Sequence, residues 1–143
     1  MPDAPPCPAN ATPTLWQLTL ADSELAGVDA AADGHITLRL AAAQLRHPHS
    51  GAPGHAPGLS LIFGGAQLVG TPAPGRLREA RLWLDGRWQA GCPVPGHWAA
   101  AQPGQPLRLE VTGAWGDTWQ LTARSLTVAL PPGGLNWQPW LHC

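Results

Sequence analysis

The sequence predicts an all-β fold, a single-domain antiparallel sandwich or flattened barrel of about eight strands. Several segments alternate apolar and polar residues with a period of two, which places the apolar side chains on one face of a strand. Residues that favour turns separate these segments. The 17 glycines and 17 prolines of the 143-residue chain disfavour long helices and favour short strands joined by turns.

The clearest alternation runs through residues 107–130 and predicts a long hairpin. A three-residue loop, Trp115-Gly116-Asp117, would place Val111 opposite Leu121 and keep the apolar side chains of both strands on one face. The apolar phase then changes near Arg124-Ser125. A β-bulge or bend there would explain the change; alternatively, one strand ends and another begins on the opposite face of the sheet.

A second hairpin is predicted over residues 25–42. Its loop, Ala32-Asp33-Gly34, has a glycine where a three-residue loop needs a left-handed conformation. The register that follows from this loop pairs apolar residues across the two strands: Val28 with Leu38, and Ala26 with Leu40.

A third hairpin is predicted over residues 77–90, with Asp85-Gly86 as a two-residue loop that matches the twist of the strands. This loop places Trp83 directly across from Trp88. The leucines between and beside them have the opposite phase. If those leucines face the core, the tryptophan pair stands outside it, beside Arg81.

The domain is predicted to span residues 14–130. It is expected to lie between a flexible Pro/Ala-rich tail, residues 1–13, and a C-terminal tail, residues 131–143. Two segments rich in glycine and proline, 46–58 and 91–106, are predicted to be long loops within the domain.

The formal net charge of −1 gives no electrostatic reason to expect nucleic acid or an anionic membrane surface as a partner. No apolar run approaches the roughly 18 residues of a membrane-spanning helix. All basic residues are arginine, and the composition is typical of a GC-rich bacterial gene. The three cysteines are an odd number, and the first residues do not resemble a signal peptide, so reduced thiols in the cytoplasm are expected.

Three histidines, His47, His49 and His55, lie within nine positions of one predicted loop. Imidazole is a good ligand for Zn, Cu or Ni, so these residues are the candidate metal site. No cysteine or carboxylate accompanies them, and the glycines and prolines make the loop flexible. The sequence therefore favours solvated loop histidines over a metal site, and no cofactor is expected.

Two other groupings have chemical potential. Cys92 and His97 could form a nucleophile and its base, but two prolines separate them, and a half-buried thiol beside a loop histidine is the favoured interpretation. Asp22 and Glu24 could act as an acid–base pair. Asp22-Ser23 is better explained as a turn between two strands, because both residue types bond to their own backbone.

The eight tryptophans are the most informative residues for function. Trp83 and Trp88, with Arg81, are the candidates for an exposed aromatic surface, and Trp98 of the following loop is assigned to the same binding surface. The interpretation favoured slightly over this one is that the hairpin is buried on both faces, or that the loop of Trp98 or the C-terminal tail covers the pair. Trp16 and Trp119 share the phase of apolar neighbours and are predicted to be in the core.

The favoured function is therefore a non-catalytic protein-interaction module that presents the third hairpin to another protein. The alternative is a small-ligand or carbohydrate binder that uses the tryptophan pair. A metal-dependent enzyme that uses the His47–His55 loop is a third, less favoured hypothesis.

Overall fold

The computed structural model of the protein describes residues 15–102 and 104–140. These residues form thirteen β-strands and no helix, so the all-β prediction is confirmed, with more strands than the predicted eight. The strands are β1 (Trp16–Ala30), β2 (Ile36–Arg46), β3 (Pro53–Ala56), β4 (Leu59–Gly64), β5 (Gln67–Val69), β6 (Gly75–Leu84), β7 (Arg87–Gln89), β8 (Gly91–Val94), β9 (Gly96–Ala99), β10 (Leu107–Gly113), β11 (Thr118–Ala123), β12 (Ser125–Ala129) and β13 (Gln138–Pro139). Within this part of the chain there is no helix long and apolar enough to cross a membrane. The predicted N-terminal tail, residues 1–13, lies outside the described residues, as do Cys7 and Cys143.

Several of the additional strands lie in segments predicted as loops or tails. β3 lies within the predicted loop 46–58, β8 and β9 lie within 91–106, and β13 lies beyond residue 130. Each of these strands has two to four residues and contains glycine or proline. Two to four residues are too few to show an alternating pattern. Such short strands form because they pair with neighbouring strands, which the sequence alone does not reveal.

β1 is one bulged strand, where the sequence predicts two strands separated by a turn at Asp22-Ser23. Its register on β2 shifts between Thr19 and Leu25, and Asp22 has a φ of 69°. The buried Ser23 hydroxyl donates to the Thr19 carbonyl oxygen at 2.8 Å and accepts from the Gln44 N–H at 2.9 Å. The serine thus bonds to backbone, as it would in a turn, but here it supports a bulge from which the strand continues.

The strands form one antiparallel sheet that bends round a core. Hydrogen-bonded neighbours follow the order β5-β11-β10-β6-β1-β2-β4-β12-β9, while β7 pairs with β6, β8 with β1, β3 with β2, and β13 with β3. β11 leads into β12 and β4 leads into β5, and these two stretches bend together, where the Arg124 N–H donates to the Gly64 carbonyl oxygen at 2.9 Å. The predicted bend is present at Arg124, and there the segment divides into two strands, β11 and β12, as the alternative also expected. The architecture agrees with the predicted class of sandwich or flattened barrel.

The loop between β10 and β11 has three residues, as predicted, but it lies one residue earlier than expected. The Gly113 N–H closes it by donating to the carbonyl oxygen four residues on, at 2.7 Å. Val111 therefore faces Trp119, and the predicted pairing with Leu121 is wrong. The reason is Gly116, whose φ of 86° suits the third position of such a loop; the predicted register would put it in the second.

The hairpin of β1 and β2 has the predicted loop, with Gly34 at a φ of 89°. Val28 faces Leu38, as predicted. Leu40 faces Leu25 where Ala26 was predicted, because a register shift follows Leu25. Ala26, which lies between Leu25 and Gly27, is unpaired and shifts the register by one residue. The predicted pairing is therefore correct between Ala26 and the loop and wrong at Ala26 itself.

Buried apolar side chains from nearly all the longer strands share one core. Trp119 is buried there, as predicted, whereas Trp16 is half-buried and packs against the core. The largest fully buried side chains are Phe63, Leu18, Leu20, Leu25, Leu38, Leu45, Leu59, Leu61, Leu82, Leu84, Leu109 and Leu121.

Candidate functional site

The hairpin of β6 and β7 carries Trp83 and Trp88 on the outer face of the sheet. Its loop residues Asp85 and Gly86 have φ values of 53° and 80°, the two left-handed conformations that a tight hairpin loop needs. The loop places Trp83 opposite Trp88, as predicted, and the ring centres are 5.4 Å apart with planes at 73°. Both tryptophans are half-buried, while Leu82 and the next leucine of β6 are fully buried. The predicted phase of this hairpin is therefore confirmed.

Arg81 connects the tryptophan pair to the neighbouring strand β10. Its guanidinium carbon lies 4.2 Å from the centre of the Trp88 ring. Its Nη2 and Nε both donate to one carboxylate oxygen of Glu110, at 2.9 and 3.2 Å. Arg81 and Glu110 are cross-strand partners, so the register of the sheet sets this contact. The contacts with Trp88 and Glu110 thus fix the position of the Arg81 guanidinium.

A groove of about 480 Å³ lies beside Arg81, across β5, β11, β10 and β6. Its charged and polar lining comes from six residues: Glu79, Arg81, Glu110, Thr112, Thr118 and Gln120. Val69, on the edge strand β5, adds an apolar side chain that is 60% exposed. The volume falls within the roughly 300–1,000 Å³ of typical small-molecule sites.

Trp115 lies at the tip of the β10–β11 hairpin and is 91% exposed. Thr112 and Thr118, which line the groove, form the last strand pair before that tip. Trp83 lies on the other side of the groove along β10, opposite Arg108. Aromatic residues therefore flank the groove on two sides. We call the outer surface that comprises the tryptophan pair, Arg81, the groove and Trp115 the recognition face.

Sequence reasoning missed Trp115 as a candidate for binding. The signal was present, because a tryptophan inside a three-residue hairpin loop is too far from the core to be buried there. The groove had no signal of this kind. It depends on β6 lying beside β10 and β5 beside β11, and these neighbours are not consecutive in the chain.

Trp98 is placed apart from the tryptophan pair. It lies on β9, opposite Leu126 of β12, where it is half-buried and packs against the core. A β-carbon at Gly96 would lie 2.9 Å from its Cζ3, so its ring also covers that glycine. The aromatic contacts of Trp83 and Trp88 are with each other and with Arg81. The structure therefore does not bring Trp98 to the predicted binding surface.

The three histidines are not gathered into a metal site. The ring centre of His47 lies 5.1 Å from those of Trp16 and Trp137, and 5.7 Å from that of His49. Its Nδ1 accepts two backbone N–H groups of its own loop, at 3.1 and 3.3 Å. His55 is exposed on β3. In residues 15–102 and 104–140, no group of three or more His, Cys, Asp or Glu residues is placed to hold a metal ion.

The residues of the other two groupings differ in burial and in the partners that they contact. Cys92 is buried, and this burial raises the pKa of its thiol to about 12, so the thiolate needed for nucleophilic attack is not available near neutral pH. His97 instead shares a 2.8 Å hydrogen bond with the Thr127 hydroxyl. Asp22 forms an ion pair with Arg76 on the neighbouring strand.

Comparison with protein-family models, with curated proteins and with solved structures gives no match.

Proposed function

We propose that this protein is a non-catalytic module that binds another protein through the recognition face. The observation that carries the proposal is the position of Arg81, which contacts Trp88 and Glu110 at once, on a face that also carries Trp83 and the exposed Trp115. Tryptophan and arginine are the residues most enriched among those that dominate the energy of protein interfaces.

The arrangement is suited to binding because the side chains of Arg81 and Trp88 are already held in position by contacts within the protein. Interfaces lose affinity when flexible side chains must be fixed, and a side chain held in its bound position avoids that loss. Arg81 is held by Glu110, and the indole of Trp88 lies between two contacts, with Trp83 and with Arg81. Trp115 would add an exposed apolar anchor at the rim.

The experiment compares the proteins captured by the immobilised full chain and by three variants. Trp83→Ala with Trp88→Ala removes the pair, Trp115→Ala removes the rim anchor, and Trp140→Ala is the matched control. Trp140 is 40% exposed but lies outside the recognition face. Loss of an interface tryptophan typically costs about 2 kcal/mol or more, a fall of about thirtyfold in affinity.

Quantitative mass spectrometry should find a partner that the unchanged chain and the Trp140 variant retain and that the other two variants lose. Circular dichroism should show all four chains folded, because none of the substituted side chains belongs to the fully buried core. Equal capture by all four chains would reject the proposal.

A second candidate is a small-ligand or carbohydrate binder, and the groove is the observation that favours it. Sugars present hydroxyl groups and apolar C–H faces, and the groove offers carboxylate, guanidinium, amide and hydroxyl groups beside tryptophans. Titration of isotope-labelled protein with neutral mono- and oligosaccharides tests this function by NMR. Binding should shift the Gln120 amide signals and be lost in Gln120→Ala, while Gln17→Ala, at an exposed position of β1, should bind normally. The absence of shifts at the groove with every sugar would exclude this candidate.

A further inference from the structure

The C-terminal residues 135–140, which we call the strap, lie beside β3, where β13 adds a further strand to the sheet. Gln138 pairs with His55, and Pro139 pairs with Gly54. The Trp140 N–H donates to the Pro53 carbonyl oxygen at 3.2 Å. The strap therefore occupies the outer edge of β3, which would otherwise offer unpaired backbone groups to another strand.

Trp137 is the side chain that holds the strap. Its indole N–H donates to the Leu45 carbonyl oxygen at 3.1 Å, and its ring centre lies 5.5 Å from that of Trp16 and 5.1 Å from that of His47. The ring fills the space beside Gly54, where a β-carbon would come within 2.6 Å of two of its atoms. Extended peptides bind to a sheet edge through backbone hydrogen bonds and through side chains that enter pockets beside it, and half-buried Trp137 supplies such a side chain.

The link between the strap and the body is short and exposed. Residues 131–134 are Pro-Pro-Gly-Gly, with a turn in which the Gly134 N–H donates to the Pro131 carbonyl oxygen at 2.9 Å. Gly133 and Gly134 have φ values of 84° and 88°, and residues 132–134 are exposed. The hydrogen bond of this turn lies within the link and does not connect it to the β3 edge.

We propose that the strap is exchangeable, and that the β3 edge with Trp16 and His47 is a binding site that accepts residues 135–140 from a second copy of the chain. Exchange of an identical segment makes no new type of contact, so it is a low-cost route to a dimer. Such a dimer would also carry two recognition faces and so gain avidity for a repetitive partner. The inference does not depend on the function proposed for that face.

Two full-length variants test the exchange by complementation. Gly54→Ala blocks the acceptor edge but leaves the strap intact, because the added β-carbon takes the place of the Trp137 ring. Trp137→Ala leaves the acceptor open but removes the anchor of the strap. Each variant alone should be a folded monomer. In an equimolar mixture, the free strap of the first should occupy the open edge of the second and give a one-to-one dimer.

The dimer should form with a dissociation constant below about 1 mM. A strap tethered by a short flexible link has an effective concentration in that range, and it stays docked only if it binds more tightly than that. Light scattering after size exclusion and sedimentation velocity would measure the mass of each species. The matched control is a mixture of Trp115→Ala with Trp137→Ala, which should form much less dimer at the same concentration because the first chain's own edge competes for its strap.

Every other outcome overturns the proposal. A mixture that stays monomeric up to about 1 mM shows that the strap does not bind in trans with the required affinity. Dimers of either variant alone show association through another surface. If circular dichroism shows that either variant does not fold, the strap is an integral part of the fold and is not exchangeable.

Discussion

The guanidinium carbon of Arg81 lies 4.2 Å from the centre of the Trp88 ring, although the two residues belong to different strands of one hairpin. Trp88 faces Trp83 in the ladder, so Arg81 reaches it diagonally, one pair further along the same face. The same guanidinium is bound to Glu110 on the other neighbouring strand. One cation thus connects three strands of the recognition face.

We predict that Arg81 and Trp88 contribute jointly to stability. In a double-mutant cycle of Arg81→Ala and Trp88→Ala, the free energies of unfolding should show a coupling of about 0.5–1 kcal/mol, the usual size for an exposed cation–π contact. Urea denaturation of the four proteins measures it. The matched cycle of Arg39→Ala and Trp88→Ala should be additive, because Arg39 lies on β2, where it pairs with Asp29. A coupling near zero in the first cycle would contradict the contact.

We predict that Ser23→Ala destabilises the protein by about 1–3 kcal/mol, because the backbone groups of Thr19 and Gln44 would lose their buried partner. Thermal or urea denaturation measures the change. Ser60→Ala, at a half-buried position on β4, is the matched control and should change stability by less than about 0.5 kcal/mol. Equal effects of the two substitutions would show that the Ser23 hydroxyl does not support the bulge.

Local sequence signals predicted the parts of the fold that local geometry determines. Asp85-Gly86 set the register of Trp83 with Trp88, and the resulting phase placed both rings outside the core. Gly34 likewise set the loop of the β1–β2 hairpin. The register predicted for the β10–β11 hairpin was wrong because the apolar pattern favoured a register in which Gly116 does not occupy the left-handed third position of the loop.

The groove and the strap could not be predicted, because they depend on contacts between residues distant in the sequence. The groove exists because Arg81 and Glu110 lie on strands that are neighbours in the sheet but not in the chain. The strap pairs Gln138 with His55, more than eighty positions away, and nothing in a Pro-Gly-rich segment indicates such a partner. The sequence does not distinguish Trp137 from the other tryptophan of the expected C-terminal tail. Its role as an anchor follows from its position beside Gly54.

We predict that Gly116→Ala destabilises the β10–β11 hairpin by about 1–2 kcal/mol, the cost of placing a β-carbon on a left-handed residue. An added β-carbon would meet no atom within 4 Å, so the loss is conformational and not steric. Gly104→Ala is the matched control, since that site is equally open and its φ is not left-handed. Denaturant titration should show a loss only for the first variant, and an equal loss in both would refute the loop assignment.

We predict that stability falls at alkaline pH because of Cys92. Burial raises the pKa of its thiol to about 12 from an ordinary value of 9.0. The folded state therefore favours the neutral thiol, and its contribution is complete below pH 9.0 and is lost as the pH rises toward 12. Within that window this one group lowers the free energy of unfolding by about 1.4 kcal/mol per pH unit.

The chain allows a clean measurement of this effect, because it has no tyrosine and no lysine to titrate in the same range. With Cys7 and Cys143 replaced by serine, urea denaturation from pH 7 to 11 should show the decline. Adding Cys92→Ala should largely remove it, since alanine keeps the site apolar and cannot ionise. The same decline in both chains would mean that another group is responsible. A thiol reagent at pH 8 provides a second measurement, because the buried thiol should react only when the protein is unfolded.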